Sequence, residues 1–151
     1  MSPLPLSATE QAFAAFAAST LPAAQIERND HGILTYKWAS PCPELEALYV
    51  WIDDLYITLA TKISHLHVDR NSFARDTIRE ERLAHIIAEE AASGARGILD
   101  GRVVFIQYYD ETSGKVLGQS GVWNRDDWVE ENRRGTREAQ RAWSWSGEVQ
   151  P

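Results

Sequence analysis

The sequence predicts an α+β fold: an antiparallel sheet of about five strands with helices packed on it, in the order α-βββ-α-ββ-α. Three observations carry that expectation. Apolar runs rich in Tyr, Val, Trp and Ile recur at 33–39, 44–54, 55–69 and 101–123, the signature of strands rather than helices. The turns between consecutive runs are short, which suits antiparallel neighbours and not parallel crossovers. Stretches of helical period with capping signals stand before, between and after these runs.

Taken in order, residues 1–6 are rich in proline and expected to be loose. "SATE" then places Ser7 and Glu10 at capping-box spacing, with Phe13, Phe16 and Ala17 on one face, predicting a helix over 8–20 that stops before Pro22. "RNDHG" (28–32) is a turn cluster, "ILTYKWA" (33–39) a first strand, and "SPCP" (40–43) a break, since paired prolines do not sit inside a sheet. "ELEALYVWIDD" (44–54) and "LYITLATKISHLHVD" (55–69) read as two strands joined at Asp53–Asp54. A second helix is expected over 73–93, with Thr77 and Glu80 as capping box, Ile78, Leu83, Ile86 and Ile87 as buried face, and Gly94 as the stop. "GRVVFIQYYDETSGKVLGQSGVW" (101–123) reads as a hairpin about "DETSGK". Asn124 then caps a last helix over 125–141, and 146–151 are expected to be loose.

Length and composition set the function classes. With 151 residues, 44 % hydrophobic and 25 % charged, the chain is expected to form a single domain, 1–151. A net charge of −7 argues against a nucleic-acid binder and suits a basic protein partner. The one cysteine, Cys42, excludes an intrachain disulfide and points to a reducing compartment. The N-terminal apolar stretch lacks a basic n-region and contains Glu10, and no run approaches about 18 uncharged apolar residues. The expected setting is bacterial-type cytoplasm, with no membrane contact. A phosphate-cradling Gly-rich loop, zinc-finger spacing and a G-x-S-x-G elbow are all missing from the sequence. Cys42, between two prolines, has no evident activating base. The reading is therefore of no catalytic residue and no cofactor.

The most chemical-looking stretch is "KISHLHVD" (62–69). Side chains two apart on a strand share a face about 7 Å apart, so His65 and His67 can converge on one ion with Asp69 as an oxygen ligand. The spacing resembles the H-x-H-x-D-H signature of metallo-β-lactamase-fold hydrolases, but Arg70 stands where the last histidine is required. That activity is not carried over. A continuous register puts His65 and His67 on the face of Leu55, Ile57, Leu59 and Ile63, hence inward; a bulge turns them outward. His85, at about 100° per residue, lies away from Ile86 and Ile87 between Glu81 and Glu89, a surface position. His31 is remote in the chain.

Carboxylates and aromatics make the second cluster: Glu44, Glu46, Asp53 and Asp54 around Tyr49, Trp51 and Tyr56. Adjacent Asp53 and Asp54 suit a turn rather than a shared acid–base site, while Trp and Tyr anchor interfaces that carboxylates steer. Of the six tryptophans, Trp38 and Trp51 are expected in the core and Trp128 as the anchor of the last helix; Trp143 and Trp145 either fold back onto the sheet or present an exposed patch. Arg133, Arg134, Arg137 and Arg141 alternate with Glu130, Glu131 and Glu138, a salt-bridged face.

The segment "LYITLATKISHLHVD", a strand ending in His-x-His-x-Asp before a helix, resembles one in small acidic immunity proteins of bacterial polymorphic-toxin systems; it covers 55–69. The resemblance implies a cytoplasmic inhibitor that binds and neutralises one toxin without chemistry of its own. The expected function is thus a non-enzymatic protein-binding module whose partner is a basic protein, the cognate toxin. Asp53, Asp54, Trp51, His65 and His67 are the expected contact residues, and homodimerisation is left open. Two alternatives stand beside it. One is a small metal-dependent enzyme using His65, His67 and Asp69. The other is a protein resembling acidic type III secretion chaperones, which implies a homodimer and an effector client, although the C-terminal helix lacks the apolar face that fold needs.

Overall fold

A computed structural model describes residues 5–73, 79–133 and 139–151. Their order is α1 (Ala8–Thr20), β1 (Gln25–Arg28), β2 (Leu34–Ala39), β3 (Ala47–Asp53), β4 (Tyr56–Ala60), β5 (His65–Asp69), a 3-10 turn (Arg70–Ser72), α2 (Glu80–Leu99), β6 (Val103–Tyr109), β7 (Val116–Asn124), α3 (Arg125–Arg133), β8 (Gln140–Ser144) and β9 (Gly147–Val149). The strands make two antiparallel sheets, β1-β2-β3-β4-β5 and β7-β6-β8-β9. The α+β class is as the sequence predicts; the strands number nine among the described residues rather than about five, and they form two sheets. By compactness the chain divides into Met1–Trp38 with Tyr49–Leu59 and His67–Arg96, and Ala39–Leu48 with Ala60–Leu66 and Gly97–Pro151. No helix of the described residues is long and apolar enough to cross a membrane.

In the first unit, α1 begins at the expected capping box: the Ser7 N–H donates to Glu10 Oε1 at 2.8 Å and the Glu10 N–H to Ser7 Oγ at 3.1 Å. Phe13, fully buried, meets Tyr36 edge-on at 4.8 Å, and Tyr36 stacks on Trp38 at 6.0 Å. The helix closes with the Leu21 N–H on the Ala17 carbonyl, and Trp38 Nε1 donates to the carbonyl of Pro22. β1 was not legible in the sequence. Its four residues offer one apolar side chain, Ile26, and that one is exposed; the strand is held by its ladder to β2 and by Arg28, whose guanidinium reaches Glu10 at 2.9 Å.

α2 buries Leu83, Ala84, Ile87, Ala88, Ala91, Ala92 and Ala95 along one stripe. It does not stop at Gly94. A Cβ there would stand 3.4 Å from Leu59 Cδ2, so Gly94 lets the helix approach β4 closely. The helix stops at Leu99, where Gly101 takes φ +76. The Gly101 N–H bonds the Ile98 carbonyl and the Arg102 N–H the Gly97 carbonyl, the paired bonds of a Schellman cap. Thr77 and Ile78 of the expected cap and face lie outside the described residues, as do Arg134, Arg137 and Glu138 of the expected last helix.

Two expectations about strands are corrected. Residues 55–69 are not one strand: the Thr61 N–H bonds the Ser64 carbonyl, and the Thr61 hydroxyl accepts the Ile63 N–H, a tight turn that separates β4 from β5. The last helix is described over Arg125–Arg133, and residues 140–149 form the β8–β9 hairpin instead of helix to 141 and a loose end. There the second unit gathers its core: Val104, Ile106, Trp128, Ala142 and Val149, with Tyr108 and Val129 packed against it. Trp128 Nε1 donates to Gln140 Oε1 at 3.0 Å, so the anchor of α3 also fixes the start of β8. Trp143 folds back, 2 % exposed, with the Arg141 guanidinium 5.0 Å from its ring, and the carbonyl of Trp145 accepts a bond from the Ser40 hydroxyl.

Candidate functional site

Strand alternation builds one face of the first unit. In β3, Val50 and Ile52 point inward, leaving Tyr49, Trp51 and Asp53 on the other side. β4 likewise buries Ile57 and Leu59 and turns out Tyr56 and Thr58; in β5 Val68 is buried and His67 exposed, while His65, also exposed, belongs to the second unit. In β2, Lys37 stands between the buried Tyr36 and Trp38. The outward residues engage one another. Lys37 Nζ lies 5.5 Å from the centre of the Tyr49 ring, and Tyr49 stacks on Trp51 at 5.8 Å. Tyr56 packs on the His67 ring at 4.9 Å, and Thr58 Oγ1 lies 3.0 Å from His67 Nδ1. Trp51 is 38 % exposed and Tyr56 39 %, so each aromatic has one side supported by a neighbour and another open to solvent.

Trp51 is therefore not a core residue, as its place in an apolar run suggested; Trp38 is one. Asp53 closes β3 and Asp54 turns the chain into β4 with φ 51, both exposed beside Trp51 and Tyr56. The Asp53–Asp54 turn is where the sequence puts it. Of the two orientations open for the histidines, the structure takes the outward one. The chain turns at 61–64, so the alternation of β4 is not carried on into β5.

Among the described residues, no three His, Cys, Asp or Glu side chains stand together to hold a metal ion, so the set His65, His67 and Asp69 is not assembled. Asp69 is occupied locally: its carboxylate accepts the Asn71 N–H at 2.8 Å and its own N–H donates to Ser72 Oγ at 3.1 Å. His85 is a surface residue, 4.0 Å from Glu89 and packed against Phe16 at 5.0 Å. Burial pushes the Cys42 thiol up, and Sγ lies 3.4 Å from Glu44 Oε2, an environment that disfavours the thiolate.

Two members of the face, Lys37 and Thr58, were neither among the expected contact residues nor in the aromatic–carboxylate cluster of 44–56. The signal for them is the alternation itself, once β2, β3 and β4 are ordered as neighbours; no local motif marks them. Exposed tryptophan and tyrosine are residue types enriched at protein interfaces in general. No family model matches the chain, and no curated protein or solved structure is significantly similar to it.

Proposed function

We propose that the protein is a non-enzymatic protein-binding module, an immunity- or antitoxin-like inhibitor that docks a basic bacterial toxin in the cytoplasm. The observation that carries this reading is the exposure of Trp51 and Tyr56 on paired strands with Asp53 and Asp54 at their edge. Tryptophan and tyrosine are the residues that dominate interface energetics, and they lose little freedom on binding when already stacked. Net charge −7 steers a basic partner toward the surface. His67 extends the contact along β5. The function requires no reaction on this chain.

The test uses the purified product of the gene adjacent to this one. Stoichiometric binding that blocks its toxicity is the expected result, with W51A weakening affinity by roughly 30-fold or more, as a hot-spot loss of about 2 kcal/mol requires. D53N/D54N is expected to slow association and flatten its salt dependence. Failure of that product to bind wild-type protein removes the inhibitor reading.

A further inference from the structure

We propose that Trp51, Asp53 and Asp54 form a seat for one arginine side chain of the protein partner, its guanidinium lying on the open side of the Trp51 ring and bonding a carboxylate beside it. The inference rests on the reading of this face as a protein-binding surface and names the chemistry the face selects.

The order of residues along β3 lays out the seat. Side chains two apart on a strand share a face at about 7 Å, so Tyr49, Trp51 and Asp53 stand in a row with Trp51 in the middle. One side of Trp51 is covered by the Tyr49 ring, 5.8 Å away and within 20° of parallel. Asp53 stands on the other side, where the strand ends, and Asp54 follows it in the turn. Trp51 is 38 % exposed and both aspartates are exposed. Among the described residues, no hydrogen bond or ion pair engages either carboxylate and no cation lies over Trp51. The far end of the row differs: Lys37 Nζ lies 5.5 Å from the centre of the Tyr49 ring. The Tyr49 end thus holds a cation already, and the Trp51 end has a ring and carboxylates without one.

β8 and β9 carry the completed form of this arrangement. The Arg141 guanidinium lies 5.0 Å from the centre of the Trp143 ring while its Nε and Nη2 donate to Glu148 at 2.9 and 2.8 Å. Arg141 stands two residues before Trp143 on one strand, and Glu148 pairs with Trp143 from the next. Ring, guanidinium and carboxylate occupy one face together. Trp51 and Asp53 repeat two of those three parts, and the missing part is the guanidinium.

Arginine suits the vacancy better than lysine. A guanidinium is planar and weakly hydrated, so it lies flat on an indole while its N–H groups reach sideways to a carboxylate. An ammonium is a compact, strongly hydrated charge without that flat fork. A neutral side chain of the same shape forgoes both the charge-assisted bond and the attraction to the ring.

The experiment titrates the full-length protein with three capped peptides, acetyl-Gly-Xaa-Gly-amide with arginine, lysine or citrulline at Xaa. It follows the indole N–H resonance of Trp51, assigned by its loss in W51A. Citrulline keeps the shape of arginine and removes its charge. The arginine peptide is expected to shift the resonance saturably, with a dissociation constant at least about fivefold below those of the other two. D53N/D54N is expected to erase that preference; asparagine keeps the size of aspartate and tolerates the φ of 51 at Asp54, so the fold is kept. An arginine peptide that gives no saturable shift overturns the proposal. So does a lysine or citrulline peptide that binds equally well, or a preference that survives D53N/D54N. The peptides also separate this inference from the one it rests on. If the arginine peptide binds and the adjacent gene's product does not, the inhibitor reading falls and the seat stands; the opposite pattern removes the seat and leaves that reading.

Discussion

β3 and β7 each carry a half-exposed tryptophan, Trp51 and Trp123, yet they offer a partner different things. β3 lies inside its sheet, between β2 and β4, so both flanks of its backbone are committed. Only its outward side chains are available, and they are locked: Trp51 by Tyr49, and Tyr49 by Lys37. β7 lies at an edge, with few large side chains but a free backbone flank. A face recognises a partner by shape and charge; an edge recognises any strand of matching register. On the proposed function, selective binding belongs to the first.

The contrast breaks if exposed and buried tryptophans behave alike. W128A removes a ring that is 3 % exposed and bonded to Gln140, and is expected to cost about 3–5 kcal/mol in urea unfolding. W51A loses only a stacked surface pair, no more than about 1.5 kcal/mol. Equal losses would make Trp51 a structural residue and remove the interface reading.

The frame that holds β7 begins where α2 ends. G101A forces a side chain into φ +76 and is expected to cost roughly 1–2 kcal/mol, whereas G94A, at an ordinary helical position with a 3.4 Å contact to Leu59, is expected to be neutral or to stabilise by up to about 1 kcal/mol. The reverse order in thermal melts would show that the helix ends at Gly94 after all.

The smallest effect concerns β9. The Arg141 guanidinium bonds both Glu148 oxygens at 2.9 and 2.8 Å and holds that carboxyl below the usual carboxylate range. A depressed folded value means stability that is complete above the ordinary carboxylate value and fades as pH falls toward the folded one. Glu148 is 31 % exposed at its side chain, so screening limits the contribution to about 0.2–1 kcal/mol. E148Q is expected to flatten the acid side of the stability curve by that amount; an unchanged curve would mean the pair contributes nothing.

What was legible in the sequence follows from whether the signal was local. The Ser7–Glu10 cap, the Asp53–Asp54 turn and the alternation of β3 lie within a few residues of one another and were readable. The break at 61–64 was not, because Thr61 ends β4 through a side-chain bond that apolar patterning does not register. β8 was hidden by its composition: Gln140, Arg141 and Ala142 favour helix, and only pairing with β6 at Gln107 and Ile106 makes them strand. Gly94 and Gly101 show the same limit. Either glycine can end a helix, and the choice was made by Leu59 and by the cap bonds at Gly97 and Ile98. At the candidate site, Trp51, Asp53 and Asp54 were legible as chemistry, whereas Lys37 and Thr58 joined them only through strand order.

The proposed role of the β3 face is tested most directly by calorimetric titration of the adjacent gene's product into wild type and W51A. The account predicts that W51A loses roughly 30-fold or more in affinity. Binding that W51A leaves unchanged would contradict it, moving the partner site away from the β3 face.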